Sequence, residues 1–336
     1  MLMNDQGGIR IGIIGCGALT RIFYLPILKK LKIHPAVLVD TDINNISGLV
    51  KDSGALQAAS SLEEAEPSMD AAIIASPNYL HARQAYYLLD KGKHVLLEKP
   101  MAASENDAME LKVVSQQRNA VLQIGMMRRF WKINRAVKSM LEDKILGTLQ
   151  TLSMQEGGVL NWPVQSTAIF DPAQSLGGVL IDTGAHTLDL LCWWVGNEEY
   201  ELHYEDDNHG GVEADCSLVI DFKKPDVRTQ VKLSRIRNMA NEFLISGTKG
   251  WIKLKPYGNV FESSGRSIDK YIYNQYSSAE LKQQSFEDLF EAQIMSWLSA
   301  IEKGLKPVIA AESVLPSVRI IEQCYLNRRQ MEYTWN

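Results

Sequence analysis

The chain has 336 residues, with 35 Lys and Arg against 40 Asp and Glu for a formal net charge of -5, 46% hydrophobic residues and four cysteines. That length holds one large domain or two medium ones, and the interspersed charge argues against a nucleic-acid partner. No apolar run approaches the ~18 residues of a bilayer span and the opening residues lack a leader's basic and apolar regions, so a cytoplasmic protein with no membrane partner is expected.

In the first third, short apolar runs alternate with longer amphipathic stretches, the pattern of a parallel sheet covered by helices. Strands are expected at Ile9 to Ile14, Ala36 to Val39, Ala71 to Ala75, His94 to Leu97 and Val121 to Ile124, each nearly all apolar, as strands buried on both faces are. Helices are expected at Ala18 to Leu31, Ile43 to Ser53, Leu80 to Lys91 and Ser104 to Gln117, where apolar residues recur at spacings of three and four. From Met126 the rhythm changes. A helix near Asn134 to Glu142, a run from Thr148 to Gln155 and a helix from Gly178 to Val195 precede strands at Ala214 to Phe222, Thr229 to Ser234, Asn241 to Ser246, Trp251 to Leu254 and Val260 to Phe261. Short links between these strands demand antiparallel pairing, and two helices, Phe286 to Lys303 and Glu312 to Arg329, close the chain. The fold class is α/β, with one domain over residues 1–125 and an α+β domain over residues 126–336.

Gly12-Ile13-Ile14-Gly15-Cys16-Gly17-Ala18-Leu19-Thr20 joins the first strand to the first helix. Glycines at 15 and 17 allow the tight turn and close approach that seat a dinucleotide pyrophosphate on helix amides, so Gly15, Cys16, Gly17, Ala18 and Leu19 are the expected phosphate loop. Thr20 replaces the third glycine of that fingerprint. Asp40 ends the second strand 23 residues after Gly17, close to the ~20 expected for an acid that accepts both ribose hydroxyls and repels a 2′-phosphate. NAD is therefore expected ahead of NADP. Asp42 suits the N-cap of the next helix.

Ser76, Pro77 and Asn78 lead through His81 into a helix at the carboxyl edge of the sheet, where cofactors bind; Asn78 either reaches the cofactor or caps that helix. Glu98 and Lys99, followed by Pro100, leave the next strand at the same edge, which places the lysine beside a nicotinamide and substrate. Further on, steps of four and three align Asp182, His186 and Asp189 on one face of an otherwise apolar helix. His186 is there either as a core histidine bonded to an aspartate or as part of a proton relay. No third His or Cys lies in ligand spacing, and Cys16, Cys192, Cys216 and Cys324 are far apart, so reduced thiols and no metal are expected.

Together these residues resemble the glucose-fructose oxidoreductase, inositol dehydrogenase and rhizopine catabolism family of NAD(P)-dependent oxidoreductases. The resemblance is carried by Gly12 to Thr20, Ser76-Pro77-Asn78 with His81, Gly92 to Val95 leading to Glu98-Lys99-Pro100, Arg129-Phe130, Leu146-Gly147, Gly178 to Asp189 and Gly247 to Gly250. It implies a Rossmann domain followed by a domain with an open antiparallel sheet that often forms the subunit contact, here of a homodimer or homotetramer. It also implies an NAD(P) site that includes Ser76, Pro77, Asn78, His81, Glu98 and Lys99, a catalytic set of Lys99, Asp182 and His186, and a cis Lys99–Pro100 peptide. The stretch from Gly157 to Leu176 departs from the family pattern. It holds Asn161, Trp162 and Gln165, which with Trp131 are amphipathic groups suited to a sugar or cyclitol, although a Trp near a domain boundary is usually a packing residue.

The function expected is hydride exchange with a secondary alcohol carbon of a sugar, sugar derivative or cyclitol. His186 would take the hydroxyl proton, Lys99 would hydrogen-bond the same oxygen, and Asp182 would orient His186 or extend the relay. The rivals are a reductase of a dihydrodiol or bilin, and a non-catalytic nicotinamide sensor, against which Lys99 and His186 argue. Finally, Leu218, Val219, Ile220, Val231, Leu233, Phe243 and Leu244 are expected to give the second sheet an apolar face larger than the closing helices cover, and hence a surface for self-association.

Overall fold

The computed structural model describes residues 8–161, 167–196, 199–208, 211–257 and 260–332. The chain divides into two compact units. The first gathers the chain up to Met126, a short segment ending at Ile169, and Phe290–Val318; the second holds the remainder.

In the first unit six strands, β1 Ile11–Ile14, β2 Val37–Val39, β3 Gln57–Ala59, β4 Ala71–Ile74, β5 His94–Leu97 and β6 Leu122–Ile124, lie parallel in the order β3-β2-β1-β4-β5-β6. This is the doubly wound Rossmann order, which reverses between β1 and β4. Both of those strands are buried along their whole length, which is why their sequences are purely apolar or glycine. The helices Ile43–Ser53, His81–Asp90 and Glu105–Gln117 form where the spacing predicts them, and the Ser104 hydroxyl caps the last by accepting from the Asp107 amide at 3.1 Å. The helix expected from Ala18 to Leu31 is divided instead. Thr20–Tyr24 winds as a wide π-type turn, closed by the Leu25 amide on the Thr20 carbonyl, before a helix over Leu25–Lys30. Pro26 accounts for the break, since it has no N–H to continue a regular ladder. β3 is an addition, because three residues beginning with Gln57 offer no periodicity to read.

A late part of the chain completes this unit. The Ile124 amide donates to the Ile309 carbonyl at 3.0 Å, Gln123 Nε2 donates to the Gln293 carbonyl at 2.7 Å, and Phe23 stacks on Phe290 with ring centroids 4.4 Å apart. Phe290–Val318 therefore packs along β6.

The second unit is built on β7 Leu149–Gly157, β8 Tyr200–Asp206, β9 Asp215–Lys223, β10 Asp226–Ser234, β11 Glu242–Gly247, β12 Gly250–Leu254, β13 Phe261–Ser263 and β14 Arg329–Gln330, in the order β13-β12-β11-β7-β10-β9-β8-β14. Neighbours joined by short links, such as β9 with β10 and β11 with β12, are antiparallel. β7 lies parallel to β10, however, and β14 parallel to β8, so the sheet is mixed and not antiparallel throughout. Only short links force antiparallel pairing, and the helix Val179–Val195 and the β8–β9 hairpin separate β7 from β10 in the chain. The last helix, Ala311–Leu326, stops ahead of the expected Arg329 and leaves β14 extended to pair with β8.

Register sets the faces of this sheet. Tyr204, Leu218, Val231, Met154, Phe243 and Leu254 form one row across it, and all are buried. Trp194, on the helix Val179–Val195, meets Phe243 edge-on with centroids 6.3 Å apart. The adjacent row, His203, Val219, Gln230, Ser153, Leu244 and Lys253, points the other way and is mostly polar. The expected apolar open face is thereby corrected. Leu218, Ile220, Val231, Leu233 and Phe243 are covered, while Val219 and Leu244 face outward, because alternation sends strand neighbours to opposite faces. Among the described residues no helix is long and apolar enough to cross a membrane.

Candidate active site

In the first unit the expected cofactor residues follow strand ends on the carboxyl edge. Gly15 takes a positive φ of 89°, and a Cβ there would lie 2.6 Å from both the Ala75 carbonyl oxygen and the Ser76 amide, so glycine is required by conformation and by space. Gly17, Ala18 and Leu19 stay half-exposed beyond it. The Gly15 amide donates to the Val39 carbonyl at 2.9 Å and the Cys16 amide donates to Asp40 Oδ2 at 2.9 Å, so the acid that ends β2 also shapes the glycine turn. Asp40 Oδ1 accepts from the Asp42 amide at 3.1 Å. Each carboxylate oxygen has two lone pairs, so Asp40 still has acceptor capacity for ribose hydroxyls. Asp42 does cap the next helix, accepting from the Asn44 amide at 3.1 Å. Thr20, at the position of the fingerprint's third glycine, is fully buried and donates its hydroxyl to the Gly15 carbonyl at 2.6 Å. Burial, and then the nearby Asp40 carboxylate, push the Cys16 thiol up to about 12, so it lines the turn as a protonated group.

The Lys99–Pro100 peptide is cis, and Lys99 is half-buried just past β5. Two buried residues hold this corner. His81 places Nδ1 2.8 Å from the Pro100 carbonyl oxygen and Nε2 2.8 Å from that of Ser76, which ties the loop after β5 to the loop after β4. Burial keeps His81 below its usual pKa. A neutral imidazole carries one N–H, so His81 donates to one of these two carbonyls and lies against the other, and its work is to join the two loops. The Glu98 carboxylate also turns inward: it accepts from the Tyr24 hydroxyl and from the Lys99 amide, the latter at 3.1 Å, and burial raises its pKa. Gln293 donates to the Tyr24 oxygen at 3.1 Å. The Ser76 hydroxyl donates to Gln84 at 2.6 Å, and Asn78 opens a short turn whose N-cap is Pro77. The following helix has Leu80 as its N-cap, so Asn78 is not its cap.

In the second unit the helix Val179–Val195 carries Asp182 exposed in its first turn and His186 buried one turn on. Asp189, on the same stripe, has a different partner: Arg129 donates to it from Nε at 2.8 Å and from Nη2 at 2.6 Å, and the Arg129 guanidinium lies over the Trp193 ring. Beside it, Arg128 makes a second forked pair with Glu156, at 2.8 and 2.6 Å. The Thr187 hydroxyl, next to His186, donates to Glu156 at 2.9 Å, and Tyr257 also donates to it. Thr187 and Asp189, one and three positions after His186, are thus fixed by charge-assisted bonds. The sequence reading missed these roles, although one clue was visible: two adjacent arginines inside the apolar run Ile124 to Trp131 require buried partners.

Trp131 is a packing residue, in place of the sugar-facing role expected of it. It is 3% exposed and sits edge-on to Phe286 with centroids 5.9 Å apart. Asn161 is exposed after β7, while Trp162 and Gln165 lie outside the described residues. Among the described residues no cluster of three His, Cys, Asp or Glu is placed to hold a metal. A dinucleotide, by contrast, fits the first unit: a positive-φ glycine turn, an acid at the end of β2 and a lysine at the end of β5 lie on the edge where the strand order reverses.

Comparison with known proteins identifies relatives of both parts of the chain. Residues 9–126 match the oxidoreductase family with an NAD-binding Rossmann fold, and residues 134–253 match the GFO/IDH/MocA C-terminal domain. Glucose-6-phosphate 3-dehydrogenase of Bacillus subtilis is 28% identical over 197 residues, covering 57% of this chain and 55% of that protein. Inositol 2-dehydrogenase of Corynebacterium glutamicum is 22% identical over 309 residues, covering 88% and 86%. Three of the relatives are matched over little more than half their own length, at 53%, 55% and 58%. In fold, the WlbA dehydrogenase of Bordetella pertussis, solved with NADH and UDP-GlcNAcA, superposes with a TM-score of 0.81 at 17% identity, covering 95% of each chain. With both of its family domains matched in order, the chain belongs to the Gfo/Idh/MocA oxidoreductase family.

Proposed function

We propose that this chain exchanges a hydride between nicotinamide and a secondary alcohol or ketone carbon of a sugar, sugar derivative or cyclitol, with NAD preferred to NADP. The observation that carries the reading is the state of the helix Val179–Val195. Thr187 and Asp189 are committed to the Arg128 and Arg129 ion pairs, while Asp182 stands exposed four residues before the buried His186. A buried imidazole one turn from an exposed carboxylate, on a helix fixed against rotation, is suited to moving a proton toward solvent. Nicotinamide, when bound, supplies or takes the hydride. In the oxidative direction His186 takes the hydroxyl proton, Asp182 orients its ring or passes the proton on, and Lys99 hydrogen-bonds the reacting oxygen and steadies its developing charge. Asp40 favours NAD because its carboxylate repels a 2′-phosphate. Relatives named for glucose 6-phosphate and inositol support a polyhydroxylated substrate.

The same reading carries a cytoplasmic location and a homodimer or homotetramer formed across the open face of the eight-stranded sheet. That face holds Val219 and Leu244, with Trp251 36% exposed, among polar neighbours, a composition ordinary for interfaces between separately folded subunits. Light scattering that shows a monomer at micromolar concentration excludes it.

The test of the reaction is a panel of sugars, inositols and nucleotide sugars with NAD and NADP, read at the nicotinamide absorbance. His186→Asn and Lys99→Met are expected to leave NADH affinity within a few-fold. Turnover should fall by about 10² to 10⁴ in His186→Asn, the usual worth of general acid–base assistance. A His186→Asn protein that folds, binds NADH and turns over at the original rate returns His186 to the core. An unmodified protein that binds NAD tightly and turns over nothing in the panel is a sensor.

A further inference from the structure

The helix Val179–Val195 starts without a side-chain cap of its own, because its N-cap is Gly178. The amides of its first turn need acceptors from elsewhere, and one distant residue supplies two. The Glu213 carbonyl accepts from the Val179 amide at 2.9 Å, and Glu213 Oε1 accepts from the Leu180 amide at 3.0 Å. Glu213 is fully buried. Its carboxylate is held from the end of the chain: the Tyr325 hydroxyl donates to Oε1 at 2.9 Å, and Arg328 Nη2 stands 3.7 Å from Oε2. A Cβ on Gly178 would lie 1.9 Å from the Glu213 carbonyl oxygen, so the glycine is needed to let Glu213 come this close.

A carboxylate at this end of a helix complements the partial positive charge of the free amides. It also fixes where the helix begins. Each residue of a helix turns by about 100° and rises about 1.5 Å, so a change in the first turn carries every residue after it to a new angle and height. Asp182 lies in that first turn and His186 in the next. Beyond His186, Arg128 and Arg129 hold the helix through Thr187 and Asp189, by way of Glu156 in the first case. We propose that Glu213 is a positioning residue of the active site: it sets the first turn of the helix Val179–Val195 and thereby the placement of Asp182 and His186. The catalytic consequence rests on the roles given above to those two residues.

The test uses the full chain with isotope-labelled histidine, the ring signals of His186 being assigned by their loss in His186→Asn. Glu213→Asp keeps the charge but draws the carboxylate back by one methylene, roughly 1.5 Å, out of reach of Leu180. Its His186 ring signals are expected to shift. Turnover of myo-inositol or glucose 6-phosphate with NAD should fall about tenfold or more, as misplacement on the ångström scale does, with NADH affinity unchanged. Glu213→Gln keeps the reach and an acceptor oxygen, and is expected to restore the ring signals and most of the turnover. A residue that merely stabilised the unit would lower the denaturation midpoint in both variants and leave the His186 signals and kcat of the folded protein in place. That result overturns the proposal.

Two further arms keep the answer definite. If Glu213→Asp does not fold, Tyr325→Phe removes one bond to Oε1 and is expected to give a smaller shift of the same signals; no shift counts against the proposal. If neither compound is turned over, or His186→Asn proves as active as the unmodified protein, the catalytic reading loses its support while the ring signals still decide whether Glu213 sets the helix.

Discussion

The two sheets of this protein place functional groups by different means. In the first unit the candidate residues are loops at strand ends: Gly15 to Leu19 after β1, Asp40 after β2, Ser76 to Asn78 after β4, and Glu98 with Lys99 after β5. Parallel strands put all of these carboxyl ends on one edge, so topology alone gathers them. In the second unit the candidates ride on a helix, and a helix lying on a sheet is free to slide and turn unless side chains stop it. Arg128 with Glu156, Arg129 with Asp189, and Glu213 with the Leu180 amide do so, across separations of 28, 60 and 33 residues. An edge positions by main-chain geometry; a helix is positioned by buried charge.

The strongest way to break that contrast is to remove one of the buried cations. Arg129→Met leaves the Asp189 carboxylate in an apolar layer, where Asp189 is 1% exposed and burial already raises its pKa against the pull of Arg129. Stranding one member of such a pair is expected to cost about 3 to 5 kcal/mol, read by urea denaturation. Arg129→Met with Asp189→Leu should recover most of that loss, because an apolar pair of similar volume replaces a buried ion pair at little cost. A single-variant loss below about 1 kcal/mol, the range of an exposed pair, would show that the helix is held by packing alone.

The contrast also explains which parts were legible in the sequence. The glycine turn, Asp40 and the Glu98-Lys99-Pro100 run were readable because each is local: a few adjacent residues at the end of an apolar run. The helix stripe of Asp182, His186 and Asp189 was readable as spacing, but spacing cannot say which polar residue is already spoken for, and Asp189 went to Arg129. Glu98 and His81 mark the same limit in the first unit. Their positions in the chain were legible, whereas the inward turn of the Glu98 carboxylate toward Tyr24 and the seating of the His81 ring between the Pro100 and Ser76 carbonyls depend on residues brought in by the fold. The parallel pairing of β7 with β10 was hidden for a related reason, since only short connections constrain direction.

If the first edge works through its main chain, a single methyl group at Gly15 should be enough to damage it. Gly15→Ala must either hold an alanine at a φ of 89° or move the turn, and its Cβ meets the Ala75 carbonyl and the Ser76 amide. Strain of this kind is worth about 1 to 3 kcal/mol, so NADH affinity is expected to fall about tenfold to a hundredfold in a titration. Unchanged affinity would remove the turn from the binding site. Asp40→Ser should act more mildly. It weakens NADH by removing the ribose acceptor and the bond to the Cys16 amide, relieves repulsion of a 2′-phosphate, and narrows the preference for NADH over NADPH by about tenfold. Tighter NADPH binding by the unmodified protein would overturn the assignment of Asp40.

The smallest effect is expected at the opposite edge of the same sheet, and it sharpens the claim that only the carboxyl edge carries function. Just before β1 and β4, Arg10 donates to Asp70 from Nε at 3.0 Å and from Nη2 at 2.7 Å, and its Nη1 reaches the Pro67 carbonyl at 3.1 Å. These bonds, the side-chain ones first, hold the Asp70 carboxyl below the usual carboxylate range. A folded-state pKa that is depressed means that the unfolded chain binds the proton more readily. The stabilisation is therefore present at neutral pH and is lost as pH falls below about 3.9 through the depressed value. Both side chains are about half-exposed, at 50% and 45%, so solvent screening limits the contribution to under about 1 kcal/mol. Asp70→Asn is expected to lower stability by no more than that at pH 7, to match the unmodified protein once Asp70 is protonated, and to leave NADH affinity unchanged. A tenfold loss of NADH affinity in Asp70→Asn would show that the amino edge reaches the binding loops through the strands, and the separation of a structural edge from a functional one would fail.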